Sequence, residues 1–486
     1  MHLLLIALVA VPLVPTVACL VAPRRSSQII TIVAAAVAFG LTVALIPYAA
    51  SHGALSTSIL RADAVSVVFL LPTTFLYLTA AIFSVGYLRA TDDPRGRRYV
   101  RRFYVGFNVF CWSMVVAPLV NGLALLWVAI EVTTVVSALL VAIDDTDGAA
   151  EAAWKYVLLA SMGLGVALLG TIVMYYAGTK AFGPSYDLSY GRLLAGAPHF
   201  SPDAVRLADV LAVLGFGTKM GLVPVHTWLP DAHSEAPTPI SALLSGALLT
   251  TSFYAIVRFF QISERALGPT FPRIVLLVFG LASLALAALY VLNQRDLKRL
   301  LAYSSVEHMG ILAIGMSFAA PLALVGVLLH VIAHGAAKGS AFFGAGSVVR
   351  KFATKDLRQI RGGVSILPWS GTMLVLAVLA LSGLPPFGIF RSEFLIVAGG
   401  LRDPNDAVAA ILVVLATVAF FGLSWFTTET MLTPVTGTVP PRGEVSVAIV
   451  IAMLVGMVAL VVLGVHVPGA LNHLLERGAR SLEVSR

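Results

Sequence analysis

The feature that most constrains this chain is a succession of apolar runs, each long enough to cross a bilayer of about 30 Å at 1.5 Å of helical rise per residue. They fall at 2–22, 29–50, 64–88, 103–120, 121–143, 154–178, 205–226, 239–261, 272–293, 300–319, 321–349, 367–400, 405–432 and 445–468. In hydrocarbon every backbone N–H and C=O needs a partner within the protein, so only helix bundles and closed barrels span. These runs lack the roughly ten-residue alternation of barrel strands. The sequence therefore predicts an all-α polytopic membrane protein of about 14 transmembrane helices. Composition agrees. Only 12% of the 486 residues are charged, about half the share of a soluble domain, so most of the surface must face lipid.

The net charge of +8 does not indicate nucleic acid, because the Lys and Arg lie between the apolar runs rather than on one amphipathic element. Six Arg occupy 89–102, Arg295, Lys298 and Arg299 mark a second basic loop, and Arg350, Lys351, Lys355, Arg358 and Arg361 a third. If these loops are cytoplasmic, the Arg24–Arg25 turn is too, and both termini lie outside a cell (inner or plasma) membrane. The acidic turn Asp144-Asp145-Thr146-Asp147 shares that side, but acids weigh little in this rule. The first run has no basic residues before it and Arg24–Arg25 after it, the reverse of a cleaved signal peptide, so it reads as a retained span. Cys19 and Cys111 both sit in apolar runs and imply no disulfide or metal framework.

Two runs are interrupted by proline, which removes a donor and breaks a helix. The seventh reads GTKMGLVPVHTWLP, with Pro224 inside it, and the twelfth SGLPPFGIFRSEF, with Pro385 and Pro386. Lys219 precedes the first break; Glu393 follows the second. That reversed order about five spans apart predicts an inverted repeat of two five-helix units. The expected division is helices 1–3 over 1–100, helices 4–8 over 101–262, helices 9–13 over 263–432, and helix 14 with a tail over 433–486.

Ionisable residues inside these runs are the candidate functional groups, because each costs at least ~2.5–3.5 kcal/mol to insert. Glu131 lies mid-way along the fifth span and Lys219 along the seventh; each is the other's best partner, against the alternatives of a protonated Glu131 on Thr133 or Thr134 and a fixed salt bridge. His330, His334 and Lys338 recur at i, i+4 and i+8, so one helix face carries three titratable groups about 6 Å apart. His at i and i+4 also matches a zinc spacing. No HExxH or further acidic ligand accompanies it, and Lys338 repels a cation, so no metal is expected. Glu393 either ends this line at the opposite face, or snorkels to the interface or pairs with Arg391. Glu307 and His308 either extend the line or bond a helix end, and Lys298 reads as a positive-inside anchor. No P-loop, GxGxxG, CxxC or CxxCH motif occurs, so no nucleotide, cluster or haem is expected: no cofactor in this chain, and no catalytic redox centre.

GFGTKMGLVPVHTWLPDAHSEAPTPISALLSG, RDLKRLLAYSSVEHMG and HVIAHGAAKGSAFFGAGS closely resemble the signatures of the antiporter-like subunits of respiratory complex I, Mrp antiporters and membrane-bound hydrogenases. The resemblance runs from about residue 63 to about residue 400. IEVTT, ISALLSGALL, YSSVEHMG and LPPFGIFRSEFLI are most similar to component F of hydrogenase-4. The resemblance implies 14 helices with two inverted five-helix units. It also implies a proton pathway through Glu131, Lys219, His330, His334, Lys338 and Glu393, with His226, Ser245, Thr250, Lys298, Glu307 and His308 as further candidates. Ser245 and Thr250 stand in the eighth span, where several members carry His or Lys, so that link has to run through hydroxyls and water. The lateral amphipathic helix of the longest complex I homologue is not expected after span 14. Implied partners are other membrane subunits and a peripheral hydrogenase-like or dehydrogenase arm. A subunit of a cation/proton (Mrp-type) antiporter or of an NADH-quinone oxidoreductase, with protons or sodium as the ion, and a non-conducting scaffold are the rival readings.

Overall fold

The computed structural model describes residues 2–88, 93–402, 406–435 and 440–483, almost all of them helical. Arg89, counted above in the first basic loop, lies outside them. Ten of the described helices are long and apolar enough to cross a membrane, from Arg24–Ser51 to Val447–Val465. The remaining expected spans fall on helices that are short, interrupted or polar. His2–Ala10 and Leu13–Ala18 meet at Pro12, and Leu297–Phe318 carries Lys298, Arg299 and Glu307. Pro202–Met220 continues after its break as Leu229–Glu235, and Ser370–Leu381 continues as Gly388–Gly400.

Burial sorts these helices. Thr238–Leu267 is enclosed throughout its apolar stretch, and Ala64–Tyr87 and Pro321–Phe352 nearly so. Outer helices present Leu139, Met162, Val278, Val414 and Val465 to the surroundings, as lipid contact requires. Where helices cross closely, small residues carry the contact. A Cβ on Gly215 would stand 2.4 Å from the Ala167 backbone nitrogen, and one on Gly399 would stand 2.5 Å from that of Ala323. Both broken helices are thus pressed against an unbroken neighbour, Asp147–Phe182 and Pro321–Phe352 respectively.

The basic loops gather at one end of the bundle. Arg24 donates to Leu88 O at 2.7 Å and Arg350 to Gly86 O at 2.9 Å. Lys355 pairs with Glu235 at 2.5 Å, and Arg299 with Asp231. The opposite end is tied by Arg258, a buried cation that the sequence reading passed over. It donates to Asp63 Oδ1 at 2.6 Å, Ser66 Oγ at 3.1 Å and Gln261 Oε1 at 2.9 Å, and lies over the rings of Tyr190 and Tyr254. Beyond the last span, Gly469–Leu482 forms an amphipathic helix. It packs back on the Arg24–Ser51, Ala64–Tyr87 and Pro321–Phe352 helices, and its leucines recur at helical spacing after Pro468.

Asp63 caps the Ala64–Tyr87 helix. Burial opposes its charge, but Arg258 and Arg61 outweigh burial and hold its carboxyl well below the usual range. Its stabilisation is therefore fully present above the unfolded value of 3.8 and is lost only as pH falls through the lower folded value. Asp63→Asn should strand Arg258 and cost about 3–5 kcal/mol. Thermal unfolding in detergent at neutral pH checks this, and an unchanged midpoint contradicts it.

Candidate functional site

The seventh helix ends at Gly221, whose φ of +87° needs no Cβ. Its last turn would leave carbonyls bare in an apolar core, and Trp228 answers one of them, Nε1 donating to Thr218 O at 2.7 Å. Ser283 Oγ accepts from the Val223 N–H at 2.9 Å within the break. Lys219 occupies that last turn, where a cation suits the negative end of the helix dipole. It is fully buried. Its ammonium donates to Thr134 Oγ1 at 2.7 Å and to Tyr156 OH, and Tyr156 OH lies 2.8 Å from Ser137 Oγ.

The expected ion pair with Glu131 is not formed. Glu131 accepts from Ser161 Oγ at 3.1 Å, its other oxygen lacks a partner, and no Lys nitrogen lies within 4.0 Å. Thr134, one turn further along the same face of the helix, meets Lys219, while Glu131 bonds Ser161 on the Asp147–Phe182 helix. Thr133 bonds Ile130 O at 2.6 Å rather than the carboxylate.

The second buried ammonium, Lys338, docks on the Leu297–Phe318 helix, donating to Leu301 O at 3.0 Å and to Ser304 Oγ. The next residue, Ser305, lies 2.7 Å from Ser245 Oγ. Ser245 sits in a π-helical turn, Leu244–Leu248, a distortion frequent at functional sites. Thr250 instead donates back to Ala247 O at 2.9 Å. Lys298 is no surface anchor. It is buried, and donates to Ser234 O at 3.0 Å and Ala236 O at 2.6 Å, at the carbonyl end of Leu229–Glu235. It also lines a cavity of about 410 Å³ at the basic-loop end, with Tyr87, Tyr99, Ser234, Arg350 and Lys355.

One turn beyond Ser304, Glu307 and His308 are buried mid-helix, so they do not bond a helix end. His308 Nδ1 lies 3.1 Å from His330 Nε2, and His330 Nδ1 lies 2.9 Å from Ser392 Oγ. Ser392 gives its one hydrogen to Ile389 O at 2.7 Å. It therefore accepts from His330 Nδ1, which leaves His330 Nε2 to accept from His308 Nδ1. Glu393 stands 3.8 Å from His308 Nδ1 and forms no ion pair with Arg391. His334 lies beside both rings, its centroid 5.3 Å from His308 and 6.2 Å from His330, and neither of its nitrogens has a protein partner.

His308, His330 and Glu393 offer donor atoms within 4.8 Å of one another, so the acid that the sequence reading missed beside the histidines is present. The His308 and His330 nitrogens already share a hydrogen, and a metal ion would have to part them. The arrangement is a hydrogen-bonded chain from His308 through His330 to Ser392, with Glu393 beside it.

Besides Arg258, Ser304 and Ser305, two further residues went unrecognised in the sequence. His233, in LPDAH, has its Nδ1 2.8 Å from Leu229 O, an unpartnered Nε2, and both Lys298 and Lys338 within electrostatic reach. Tyr156 looked like an ordinary apolar-run aromatic. The sequence signal for His233 was a buried-motif histidine between two prolines, Pro230 and Pro237. His226 stands apart: its Nδ1 is unpartnered and it joins none of these groups by a hydrogen bond.

Residues 120–428 match the family described as NADH:quinone oxidoreductase/Mrp antiporter, TM. The chain is 37% identical over 366 residues to a hydrogenase-4 component F homolog of Methylacidiphilum infernorum (isolate V4), covering 73% of this chain and 75% of that one. Its fold is similar to a chain of the membrane-bound sulfane sulfur reductase, an archaeal respiratory membrane complex (TM-score 0.87, 20% identity, 99% and 98% of the two chains). It is equally similar to a chain of the Mrp complex from Dietzia sp. DQ12-45-1b (TM-score 0.87, 20% identity, 99% and 98%).

Gly383 should prove as constrained as Gly221. Its φ is +67°, and a Cβ there would lie 2.5 Å from Glu393 Oε2. Gly383→Ala is expected to cost about 1–3 kcal/mol, and part of that loss should vanish in a Glu393→Ala background. A double-mutant cycle by thermal unfolding measures both, and strict additivity would refute the contact.

Proposed function

We propose that this chain, which belongs to the NADH:quinone oxidoreductase/Mrp antiporter membrane family, is the proton-translocating subunit of a hydrogenase-4-like redox assembly of the cell membrane. The observation that carries this reading is the way two of its buried ammoniums are held. Lys219 and Lys338 rest on hydroxyl and carbonyl oxygens rather than on carboxylates. A hydroxyl accepts from an ammonium and donates to an amine, so Thr134, Tyr156 and Ser304 suit both protonation states. A salt bridge suits only one.

In this reading protons reach Lys298 through the cleft at the basic-loop end and pass by His233 to Lys338. From there they cross the His334, His308 and His330 cluster to Glu393. Ser245 and Ser305, with water, link this line to the Lys219 site. Redox chemistry in a peripheral hydrogenase-like arm changes the field at one end, and displacement of charge at one site shifts the next, because such steps reach far in low dielectric. The four polar or interrupted helices complete fourteen crossings, and the matched breaks at Pro224 and Pro385–Pro386 support the inverted halves over 101–262 and 263–432. With the basic loops cytoplasmic, both termini lie outside.

Lys219→Met should abolish proton translocation in the assembled complex while assembly persists, and unchanged flux in reconstituted vesicles would overturn the assignment. The Ser245→Ala, Ser305→Ala double variant should slow translocation without abolishing it; rates equal to the parent's would remove the hydroxyls from the path. A Mrp-type cation/proton antiporter remains the second reading, favoured by the resemblance to the Dietzia Mrp fold. Sodium-dependent proton flux in the absence of reductant would select it.

A further inference from the structure

The amphipathic helix Gly469–Leu482 buries Leu471, Leu474, Leu475, Ala479 and Leu482, a stripe at helical spacing. It packs on the Arg24–Ser51 helix and on the central Ala64–Tyr87 and Pro321–Phe352 helices. Where it meets the end of the first of these, a pocket of about 420 Å³ is lined by Pro47, Ala50, Ser51, Ala470, His473, Arg477 and Arg480. Arg477 makes one long bond, 3.3 Å, to Ala50 O, and Arg480 approaches Glu476 at 3.5 Å. Both guanidiniums keep most of their donors unused in these contacts.

Pro47 and Ala470 are shared with a second cavity of about 400 Å³, which extends along Phe39, Leu71, Phe75 and Ala459. Its wall is apolar. A basic mouth at the end of the bundle therefore opens into an apolar trough along the helices. The trough's inner wall includes Ile332 and Ala336, on the helix that bears His330, His334 and Lys338.

We propose that this composite groove is a binding site for one anionic diacyl phospholipid. Its phosphate lies on Arg477 and Arg480, and an acyl chain lies in the trough between Phe39 and Leu71. The charge decides the occupant. Basic pockets beside membrane helices select anionic headgroups. A partner's transmembrane helix, a cylinder of about 10–12 Å, would fill the trough but leave the basic mouth unmatched. A bound lipid would brace the Pro321–Phe352 helix from the face opposite its histidines. The inference is independent of the proton reading.

The test is native mass spectrometry of the full chain in mild detergent, titrated with dioleoyl phosphatidylglycerol or dioleoyl phosphatidylcholine. Phosphatidylglycerol should be preferred by about tenfold. That preference should disappear in Arg477→Gln, Arg480→Gln, and binding of both lipids should fall in Ala470→Trp. Ala470 is exposed, so the tryptophan should fill the groove without unfolding the chain, and an unshifted thermal midpoint verifies this. Equal binding of the two lipids would overturn the proposal, as would unchanged binding in both variants or displacement of the lipid by inorganic phosphate alone. So would a cross-link from Ala470→Cys to a neighbouring protein subunit, in place of lipid, in the assembled complex.

Discussion

An ammonium group at the centre of an apolar bundle must be met by oxygen atoms, because no water-rich surface is near enough to solvate it. The chain solves this in its core at Lys219 and Lys338, and in a related way at Lys298, beside the cavity of the basic-loop end. Lys219 uses a threonine and a tyrosine, Lys338 a serine and a carbonyl, and Lys298 two carbonyls at a helix end. Each solution needs backbone or hydroxyl oxygens to be free at that depth. Regular helices do not offer many, since their carbonyls are engaged. Lys298 finds its oxygens at the end of the short Leu229–Glu235 helix, whereas Lys219 and Lys338 are met mainly by side-chain hydroxyls, with the Leu301 carbonyl, on unbroken helices.

The Leu297–Phe318 helix organises much of this chemistry. Along its length it carries Lys298, then the Leu301 carbonyl and Ser304 that receive Lys338, then Ser305 facing Ser245, then Glu307 and His308 beside His330 and Glu393. Its polarity would be a defect in a lipid-facing span. It is tolerated because the helix is wrapped by the Pro321–Phe352 helix and the Thr270–Val291 helix, the latter in a contact so close that Gly310 abuts the Leu284 nitrogen.

Much of the architecture was legible because bilayer physics leaves few choices. Runs of about 20 apolar residues become helices, and prolines inside two of them become breaks at Gly221–Trp228 and Ser382–Phe387. The buried ionisable residues were also legible as candidates, since nothing else explains their insertion cost. Their pairing was not. Glu131 and Lys219 were matched by charge alone, whereas the fold sets Thr134, one turn along the same face, against the ammonium and leaves Glu131 on Ser161. Lys298 was misread for a similar reason: a lysine near a run's end marks topology in most membrane proteins, and only the packed position of Ser234 and Ala236 reveals that it is capped from within. Glu307 and His308 were ambiguous because the edge of the tenth apolar run hid how far inside the helix they lie.

The two halves of the site differ in a way that bears on how charge moves. Around Lys219 the Glu131 carboxylate is held off and bonded to Ser161, with no hydrogen shared between the two. Around His308 the groups touch, and a hydrogen-bonded order runs from His308 through His330 to Ser392 and Ile389 O. A proton arriving at His308 Nε2 would create an imidazolium 3.8 Å from Glu393 on its other nitrogen, a contact that strengthens only when that charge is present. In the proposed pathway the first half would sense a field and the second would accept a proton, with the hydroxyl pair of Ser245 and Ser305 linking them.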